Sequence, residues 1–134
     1  MQARIVKRSC GLVVLLCMLV VFSGCQKRTV SDYMQEFAEI VAEYGYEAAW
    51  KPLRDSEHTV AVPIFDETVW HVFRIGEEDL FVYFDSSNRA KQLAEQFCAD
   101  PAFGRAVAYR MRYIVMYQGA DEHMQMLLTA LESA

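Results

Sequence analysis

The sequence predicts an α+β domain, an α/β sandwich in which about three helices pack on a small sheet of three to four strands. Two observations lead to this prediction. Apolar residues recur at helical spacing in three separate segments, and short β-branched and aromatic runs bounded by turn residues lie between these segments. The predicted element order is α-(β)-β-β-α-β-α, within one globular domain at residues 31–134.

The first helix is predicted to begin near Ser31, whose hydroxyl can cap it, and to end near Lys51 because Pro52 follows. Its apolar residues share one face and its glutamates share the opposite one. The apolar residues are Tyr33, Phe37, Ile40, Val41, Tyr44 and Ala48, and the glutamates are Glu36, Glu39, Glu43 and Glu47. We interpret the glutamates as a solvated face, because a straight helix cannot wrap a cation.

Three strands are predicted before the second helix. Residues 59–65 contain Pro63, so any strand there is short or lies at an edge. Residues 69–75 and 80–84 are predicted to pair as an antiparallel hairpin around the turn at 76–79.

The second helix is predicted to begin after Ser86 or Ser87, either of which can cap it. Its predicted buried stripe is Ala90, Leu93, Ala94 and Phe97. Residues 100–108 are predicted to form a loop and residues 109–117 the longest strand. The segment 80–117 is then a crossover, right-handed if its two strands are parallel.

The last strand and the last helix each have clear boundary signals. Tyr109, Tyr113 and Tyr117 share one face of the predicted strand, where we expect core packing. Gly119 ends the strand, and Asp121 can cap the final helix. The predicted buried residues of that helix are Met124, Leu127, Leu128 and Leu131.

The first 25 residues have the pattern of an export signal. The basic residues at the start are Arg4, Lys7 and Arg8. An uncharged stretch follows at 10–22, and two small residues then precede Cys25. Residues 22–25, which read Phe-Ser-Gly-Cys, resemble the lipobox of bacterial lipoproteins. This resemblance implies cleavage between Gly24 and Cys25, a diacylglyceryl group on the Cys25 thiol, and a lipidated tether at residues 25–30.

Two alternatives to a lipoprotein signal stay open at this stage. An uncleaved transmembrane helix needs about 20 apolar residues, whereas residues 10–25 provide 16. Ordinary secretory cleavage with release of the protein would leave Cys25 at the cut by coincidence. We favour the lipoprotein because a short start that is first basic and then apolar is typical of a signal peptide.

Composition limits the partners of the mature chain. Removal of residues 1–24 leaves 110 residues with 10 basic and 18 acidic side chains, a net charge of −8. Charge of this sign argues against a nucleic-acid partner. It also disfavours broad adhesion to anionic lipid, so we expect attachment to depend on the acyl chains.

Only one free thiol is expected in the mature domain. Cys10 and Cys17 leave with the signal and Cys25 carries the lipid, so Cys98 has no partner for an intramolecular disulfide. We expect Cys98 to be a small buried hydrophobic residue, because free cysteine is usually buried.

The C-terminal half, residues 73–131, resembles that of small bacterial lipoproteins without an assigned activity. Their shared pattern is a hairpin ending in a Tyr-rich strand, a short helix, a loop, a strand closing in an aromatic residue and Gly, and a Leu-rich helix. Here it reads Leu-Phe-Val-Tyr-Phe-Asp at 80–85 and Tyr-Ile-Val-Met-Tyr-Gln-Gly at 113–119. The resemblance implies structural motifs and brings no catalytic residues.

Arg105, Arg110 and Arg112 cluster in an otherwise acidic chain. Arg110 and Arg112 lie two residues apart and would share one face of the predicted strand. One interpretation is a contact site for an anionic group, such as a wall polymer, a lipid headgroup or an acidic partner. The other, which we favour, is the solvent side of the strand, where charge discourages edge pairing.

No motif indicates a cofactor, a metal site or an activated nucleophile. The sequence lacks a Gly-rich phosphate loop, a paired zinc motif and a nucleophile elbow. Met124 and Met126 raise the question of copper, but on a helix they point apart by about 200°. We therefore expect no cofactor and no metal.

The sequence as a whole predicts a non-enzymatic envelope lipoprotein, anchored in the cell membrane on its extracytoplasmic side or, in a two-membrane cell, in the outer membrane. Its domain would bind another envelope protein or a small ligand through the uncovered side of the sheet or the 99–108 loop. A small envelope enzyme with a site assembled from dispersed residues and a purely structural lipoprotein are the alternatives.

Overall fold

In the computed structural model, residues 27–56, 60–63 and 70–134 are described, and they form an antiparallel sheet with helices on both faces. The helices are α1 (Val30–Glu43), α2 (Ala90–Cys98) and α3 (Glu122–Ser133). The strands are β1 (Ala49–Pro52), β2 (His71–Ile75), β3 (Glu78–Phe84), β4 (Arg105–Tyr109) and β5 (Tyr113–Tyr117). Within these residues the strands lie in the order β1-β2-β3-β5-β4 across the sheet. The mixed α/β class is confirmed. The sheet has five strands where three to four were predicted, and the element order along the chain is α-β-β-β-α-β-β-α, not the predicted α-(β)-β-β-α-β-α.

Helix α1 begins one residue earlier than predicted and has a different cap. The Thr29 hydroxyl accepts a hydrogen bond from the Asp32 N–H at 3.3 Å, and the Asp32 carboxylate accepts one from the Thr29 N–H at 2.8 Å. This reciprocal pair is a capping box, which satisfies two backbone donors at once. Ser31 therefore lies inside the helix and is not its cap.

Helix α1 ends eight residues before the predicted position. Gly45 adopts φ +92°, and its N–H donates to the Ala42 carbonyl while the Tyr46 N–H donates to the Val41 carbonyl. These two bonds form a Schellman motif, in which the left-handed residue closes the last turn. The chain is thereby released to form β1, so the prediction that Ala48 belongs to the helical face is wrong.

One face of the sheet packs against α1 and α3. The buried residues that α1 contributes are Met34, Phe37 and Val41, and those of α3 are the predicted Met124, Leu127, Leu128 and Leu131. The Phe37 ring meets Phe73 of β2 edge-on at 5.1 Å between centroids, and it also lies 5.4 Å from the ring of Tyr113. Tyr109, Tyr113 and Tyr117 are all buried in this layer, which confirms their predicted core role.

The other face packs against α2, whose predicted stripe of Ala90, Leu93, Ala94 and Phe97 is confirmed as buried. Trp70 is buried beside Phe97, and its indole N–H donates to the Pro63 carbonyl at 2.8 Å. This bond holds residues 60–63 against the sheet as irregular backbone. The strand predicted at 59–65 is therefore absent from these four residues, and the rest of that segment lies outside the described residues.

The β2–β3 hairpin is confirmed, with Phe73 opposite Leu80 across the ladder. The long strand predicted at 109–117 is instead the hairpin β4–β5, which reverses at residues 110–112. Arg110 makes the reversal possible by adopting φ +52°. Residues 105–108 of the predicted loop at 100–108 consequently belong to β4. Strand β3 lies antiparallel to β5, so no parallel crossover occurs at 80–117.

Asp85 organises the start of α2, so the prediction that Ser86 or Ser87 caps this helix is wrong. The Asp85 carboxylate is 1% exposed and accepts hydrogen bonds from the backbone N–H groups of Ser87 and Arg89. Arg89 also forms an ion pair with it at 3.7 Å. Asn88 adopts φ +58°, which turns the chain once more before the helix begins.

Cys98 is exposed, so the prediction that it is buried is wrong. It is the last residue of α2 and lies beside the edge strand β4. Its thiol donates to the Ala106 carbonyl at 3.1 Å and accepts from the Ala106 N–H at 3.4 Å. The thiol therefore pairs with backbone N–H and C=O groups of β4 that have no neighbouring strand on that side. This pairing explains why Cys98 lies at the surface.

Candidate functional site

A cleft of about 750 Å³ opens at one end of the sheet. Three pieces of chain meet there: the connection from α1 to β1, the turn between β2 and β3, and the start of α3. Its carboxylates are Glu47, Glu77, Glu78 and Asp121, and its apolar floor includes Ile75 and Met124. We call this the acidic cleft.

The β2–β3 turn forms one wall of the acidic cleft and is braced by Arg74. The Arg74 guanidinium donates to the Gly76 carbonyl at 3.1 Å and pairs with Asp79 at 3.2 Å. Gly76 adopts φ +61°, a conformation that suits glycine in a two-residue hairpin turn. The turn therefore presents Glu77 at a fixed position beside the cleft.

Tyr117 joins the turn to the start of α3 from below the cleft. Its hydroxyl donates to Glu78 Oε2 at 2.7 Å and accepts from the Asp121 N–H at 2.9 Å. The Asp121 carboxylate in turn accepts from the Met124 N–H at 3.0 Å and caps α3, as the sequence predicted. One buried phenol thus fixes the relative position of two cleft carboxylates.

Gly119 is required by the position of the Tyr117 ring. A Cβ atom at residue 119 would lie 2.3 Å from the Tyr117 hydroxyl oxygen and 2.5 Å from Cζ. No left-handed dihedral is involved, so the constraint is close approach. In the sequence, Gly119 is recognisable only as a residue that ends a strand, because the Tyr117 ring that excludes a side chain there approaches it only in the folded structure.

The environment of Tyr117 favours its neutral form. Burial raises the pKa of the phenol, and its hydrogen bond to Glu78 adds to this effect. The hydroxyl therefore remains a donor to the carboxylate at neutral pH. Tyr117 acts as a positioning group beneath the cleft.

The rim of the acidic cleft carries exposed polar groups above an apolar floor. Glu47, Glu77 and His123 are exposed, while Ile75 and Met124 are buried. Carboxylates at such a rim accept hydrogen bonds from cationic side chains, and an apolar floor can cover the alkyl stems of lysine or arginine. The arrangement is suited to a basic, partly apolar ligand.

One interpretation of the sequence was that the three arginines at positions 105, 110 and 112 form a contact site for an anionic group. In the structure, Arg105 lies apart from the other two. Arg105 lies in β4 and points to α3, where it donates to the Gln125 carbonyl at 3.1 Å and pairs with Glu132 at 3.4 Å. Arg110 and Arg112 lie in the β4–β5 turn, so the prediction that they share a strand face is wrong.

A second polar cluster lies at the opposite end of the sheet. The Tyr113 hydroxyl donates to Glu36 Oε2 at 2.5 Å and is 3.2 Å from the Tyr33 carbonyl. Arg28 pairs with the same Glu36 oxygen at 3.4 Å, and its guanidinium lies over the Tyr33 ring. The hydrogen bond from Tyr113 lowers the pKa of Glu36, while burial raises that of Tyr113. Glu36 is therefore part of a network and not simply a solvated helix face.

The predicted binding surfaces differ from those observed. Helices cover parts of both sheet faces, so neither face of the described sheet is wholly open. A depression of about 290 Å³ beside β1 and β2, containing Lys51 and Val72, is the part that corresponds best to the predicted uncovered side. The 99–108 loop is reduced to the 3-10 helix Pro101–Phe103 and its flanks.

Gly24 and Cys25, the predicted cleavage and lipidation residues, lie outside the described residues. Within the part of the chain that is described, no helix is long and apolar enough to span a membrane. The same part contains no group of three or more His, Cys, Asp or Glu side chains able to hold a metal ion.

No protein-family model, curated protein or solved structure matches this chain. The resemblance of residues 73–131 to small bacterial lipoproteins therefore stays a prediction.

Proposed function

We propose that this chain is a lipid-anchored envelope protein whose folded domain is a non-enzymatic interaction module, and that the acidic cleft binds a basic segment of an envelope partner. Lipid on Cys25 would hold the domain on the extracytoplasmic side of the membrane. The acyl chains supply the attachment, and the domain supplies the recognition.

The position of the acidic cleft is the observation that carries this proposal. The tether enters the domain at the start of α1, whereas the cleft lies beyond the end of that helix, at Gly45 and Glu47. Fourteen helical residues separate these points by about 21 Å at 1.5 Å per residue. A domain anchored at Cys25 therefore presents the cleft away from the anchored end, where a second protein can reach it.

The chemistry of the cleft favours a cationic ligand. Each exposed ion pair contributes only about 0.2–1 kcal/mol, so recognition needs several carboxylates together with the apolar floor. Anchoring compensates for weak contacts because a tethered module meets its partner at a raised effective concentration.

The roles of two carboxylates support binding over catalysis. Asp121 caps α3, and Glu78 accepts the Tyr117 hydroxyl. Asp121 and Glu78 therefore stabilise the walls of the cleft through bonds within the protein. Glu47 and Glu77 are the exposed carboxylates left to meet a ligand at its rim.

In-cell cross-linking of the full chain tests this function, with Cys25→Ala as the anchoring control. We expect one dominant envelope partner, lost in Cys25→Ala and reduced several-fold when Glu47→Gln and Glu77→Gln are combined. Glu39→Gln with Glu95→Gln is the matched control, because it removes the same charge from exposed helical sites.

Two results would contradict the proposal, and they do so separately. Equal capture by the cleft variant and its matched control would exclude the acidic cleft as the binding site. A mass spectrum of the membrane-extracted protein that begins at Met1, without lipid on Cys25, would exclude the anchor.

A further inference from the structure

We propose that the end of the domain beside the tether docks on the anionic headgroups of the bilayer that holds the lipid. This inference rests on the proposed anchoring through Cys25. The docking surface, which we call the basic end, comprises Lys27, Arg28, Arg89, Lys91, Arg110 and Arg112. These are six of the ten basic residues that follow Cys25 in the sequence.

Hydrogen bonds bring the turns of the basic end together. The Asp85 N–H donates to the Arg112 carbonyl at 2.6 Å, and the Ala90 N–H donates to the Met111 carbonyl at 3.2 Å. The Arg112 guanidinium also donates to Asn88 Oδ1 at 3.2 Å. The β4–β5 turn is therefore fastened to the loop and first turn of α2.

The remaining cations join this surface through α1 and a neighbouring groove. Arg28 pairs with Glu36, whose carboxylate also interacts with the Arg110 charge. Arg110 and Lys91 line the same groove of about 410 Å³. Cations from three separate pieces of chain, at residues 27–28, 89–91 and 110–112, thus meet at one end of the sheet.

The carboxylates within the basic end already have partners in the fold. Asp32 accepts hydrogen bonds from Thr29, Glu36 is bound by Arg28 and Tyr113, and Asp85 is buried. Farther along the groove, Glu132 pairs with Arg105, and Glu95 is exposed on α2. The six cations of the basic end therefore outnumber its three carboxylates by three, even with the ion pairs Arg28–Glu36 and Arg89–Asp85 counted.

Exposed apolar side chains accompany these cations. Met111 is 61% exposed at the tip of the β4–β5 turn, between Arg110 and Arg112, and Val30 is 48% exposed at the start of α1. Basic residues flanking an apolar side chain are typical of surfaces that lie at the headgroup boundary of a bilayer. Both the charge and the apolar tip fit an anionic lipid surface.

The length of the tether places this surface at the membrane. Three residues, 26–28, separate Cys25 from the capping residue Thr29. At about 3.5 Å per residue, the four intervening steps allow at most about 14 Å. The start of α1 therefore cannot move far from the lipid headgroups, and the basic end must lie near them.

Local charge outweighs net charge at this distance. The mature chain carries −8 overall, but electrostatic attraction to an anionic leaflet decays within a Debye length of about 8–10 Å. The acidic cleft lies at the other end of α1, beyond that range. The domain is thereby oriented with its basic end toward the lipid and its acidic cleft away from it.

Quenching by headgroup-nitroxide lipids tests this orientation. The full lipidated chain, carrying Cys98→Ser to remove the exposed thiol, receives a fluorophore at Met111→Cys. Met126→Cys is the matched control, because Met126 is 68% exposed on α3. In phosphatidylcholine vesicles containing phosphatidylglycerol, we expect several-fold stronger quenching at 111 than at 126.

Charge variants identify the cause of this contrast. Arg110→Gln combined with Arg112→Gln should remove most of the difference in quenching between positions 111 and 126. High salt, or vesicles of phosphatidylcholine alone, should have the same effect. Lys51→Gln with Arg54→Gln should leave this difference intact, because that pair removes equal charge elsewhere on the surface. Circular dichroism of each variant verifies that the domain is folded.

Each contrary outcome has a distinct meaning. Equal quenching at 111 and 126, or no dependence on phosphatidylglycerol, would overturn the docking surface even when Cys25 carries lipid. Cross-linking of position 111 to an envelope protein in place of lipid quenching would also overturn it. A mass spectrum of the same sample showing unmodified Cys25 would refute the anchor and the docking together.

Discussion

Replacing Tyr117 with phenylalanine isolates the hydroxyl that holds the acidic cleft together. Tyr117 is 2% exposed, and its hydroxyl makes one bond to the Glu78 carboxylate and one to the Asp121 N–H. A neutral hydrogen bond contributes about 1 kcal/mol net and one to a charged group about 1.5–3 kcal/mol. Because Glu78 is partly exposed and can be rehydrated, we expect Tyr117→Phe to lower the free energy of unfolding by about 1.5–3 kcal/mol.

Urea unfolding measures this loss directly. With a slope of about 1–3 kcal/mol per molar urea, the midpoint should fall by roughly 1 M while the slope stays unchanged. Hydrogen exchange at the Asp121 amide should accelerate, because its acceptor is gone. Tyr44→Phe is the matched control, since Tyr44 is 40% exposed and the substitution should change stability by less than about 0.5 kcal/mol. Equal midpoints for the two variants would refute the proposed role of the Tyr117 hydroxyl.

Two further predictions concern the polar cluster and the close approach at the cleft. The hydrogen bond from Tyr113 lowers the pKa of Glu36, so ionised Glu36 stabilises the fold above about pH 4.5, and this stabilisation is lost as the pH falls through the folded-state pKa. Glu36→Gln should therefore make the free energy of unfolding depend less on pH on the acid side. Burial and the bond to Glu36 raise the pKa of Tyr113 above 10, so the stabilisation from its neutral phenol is lost as the pH rises above about 10. Tyr113→Phe should therefore make the free energy of unfolding depend less on pH at alkaline pH. If both variants kept the pH profile of the unsubstituted chain, the Glu36–Tyr113 interaction would not contribute to stability. Gly119→Ala should lower the free energy of unfolding, measured in urea, by about 1–3 kcal/mol. The loss should be smaller when Tyr117→Phe is also present, because the hydroxyl that the new Cβ meets is then gone. Gly76→Ala is the control: its Cβ has open space around it, so its effect should not depend on Tyr117→Phe.

The buried faces of the helices and some of their capping residues could be predicted from the sequence, because both depend on residues close together in the chain. The stripe of α2 was predicted completely, and so was the cap of α3 at Asp121. The end of α1 was wrong because Pro52 was taken as the terminator, although the earlier Gly45 supplies the left-handed residue that closes a helix.

The hairpin β4–β5 shows why strand prediction was less successful. Tyr109 and Tyr113 lie opposite each other across the two strands, with three turn residues between them. Side chains alternate along one continuous strand, so residues 109 and 113 would share a face there as well. The apolar pattern is therefore the same for one long strand and for a hairpin with this turn. Only the conformation of Arg110 and the pairing with β3 distinguish them.

By itself, the sequence determined the mixed α/β class, the buried stripes of α2 and α3, and the core role of the tyrosines, because periodicity and caps act over a few residues. It also predicts the lipidated start at Cys25. The tertiary structure alone decided the five-strand order, the acidic cleft and the separation of Arg105 from the other two arginines. These features join pieces of chain that are distant in sequence, and their geometry depends on buried contacts such as those of Tyr117. No local pattern encodes such contacts, because they form only when the whole sheet has assembled.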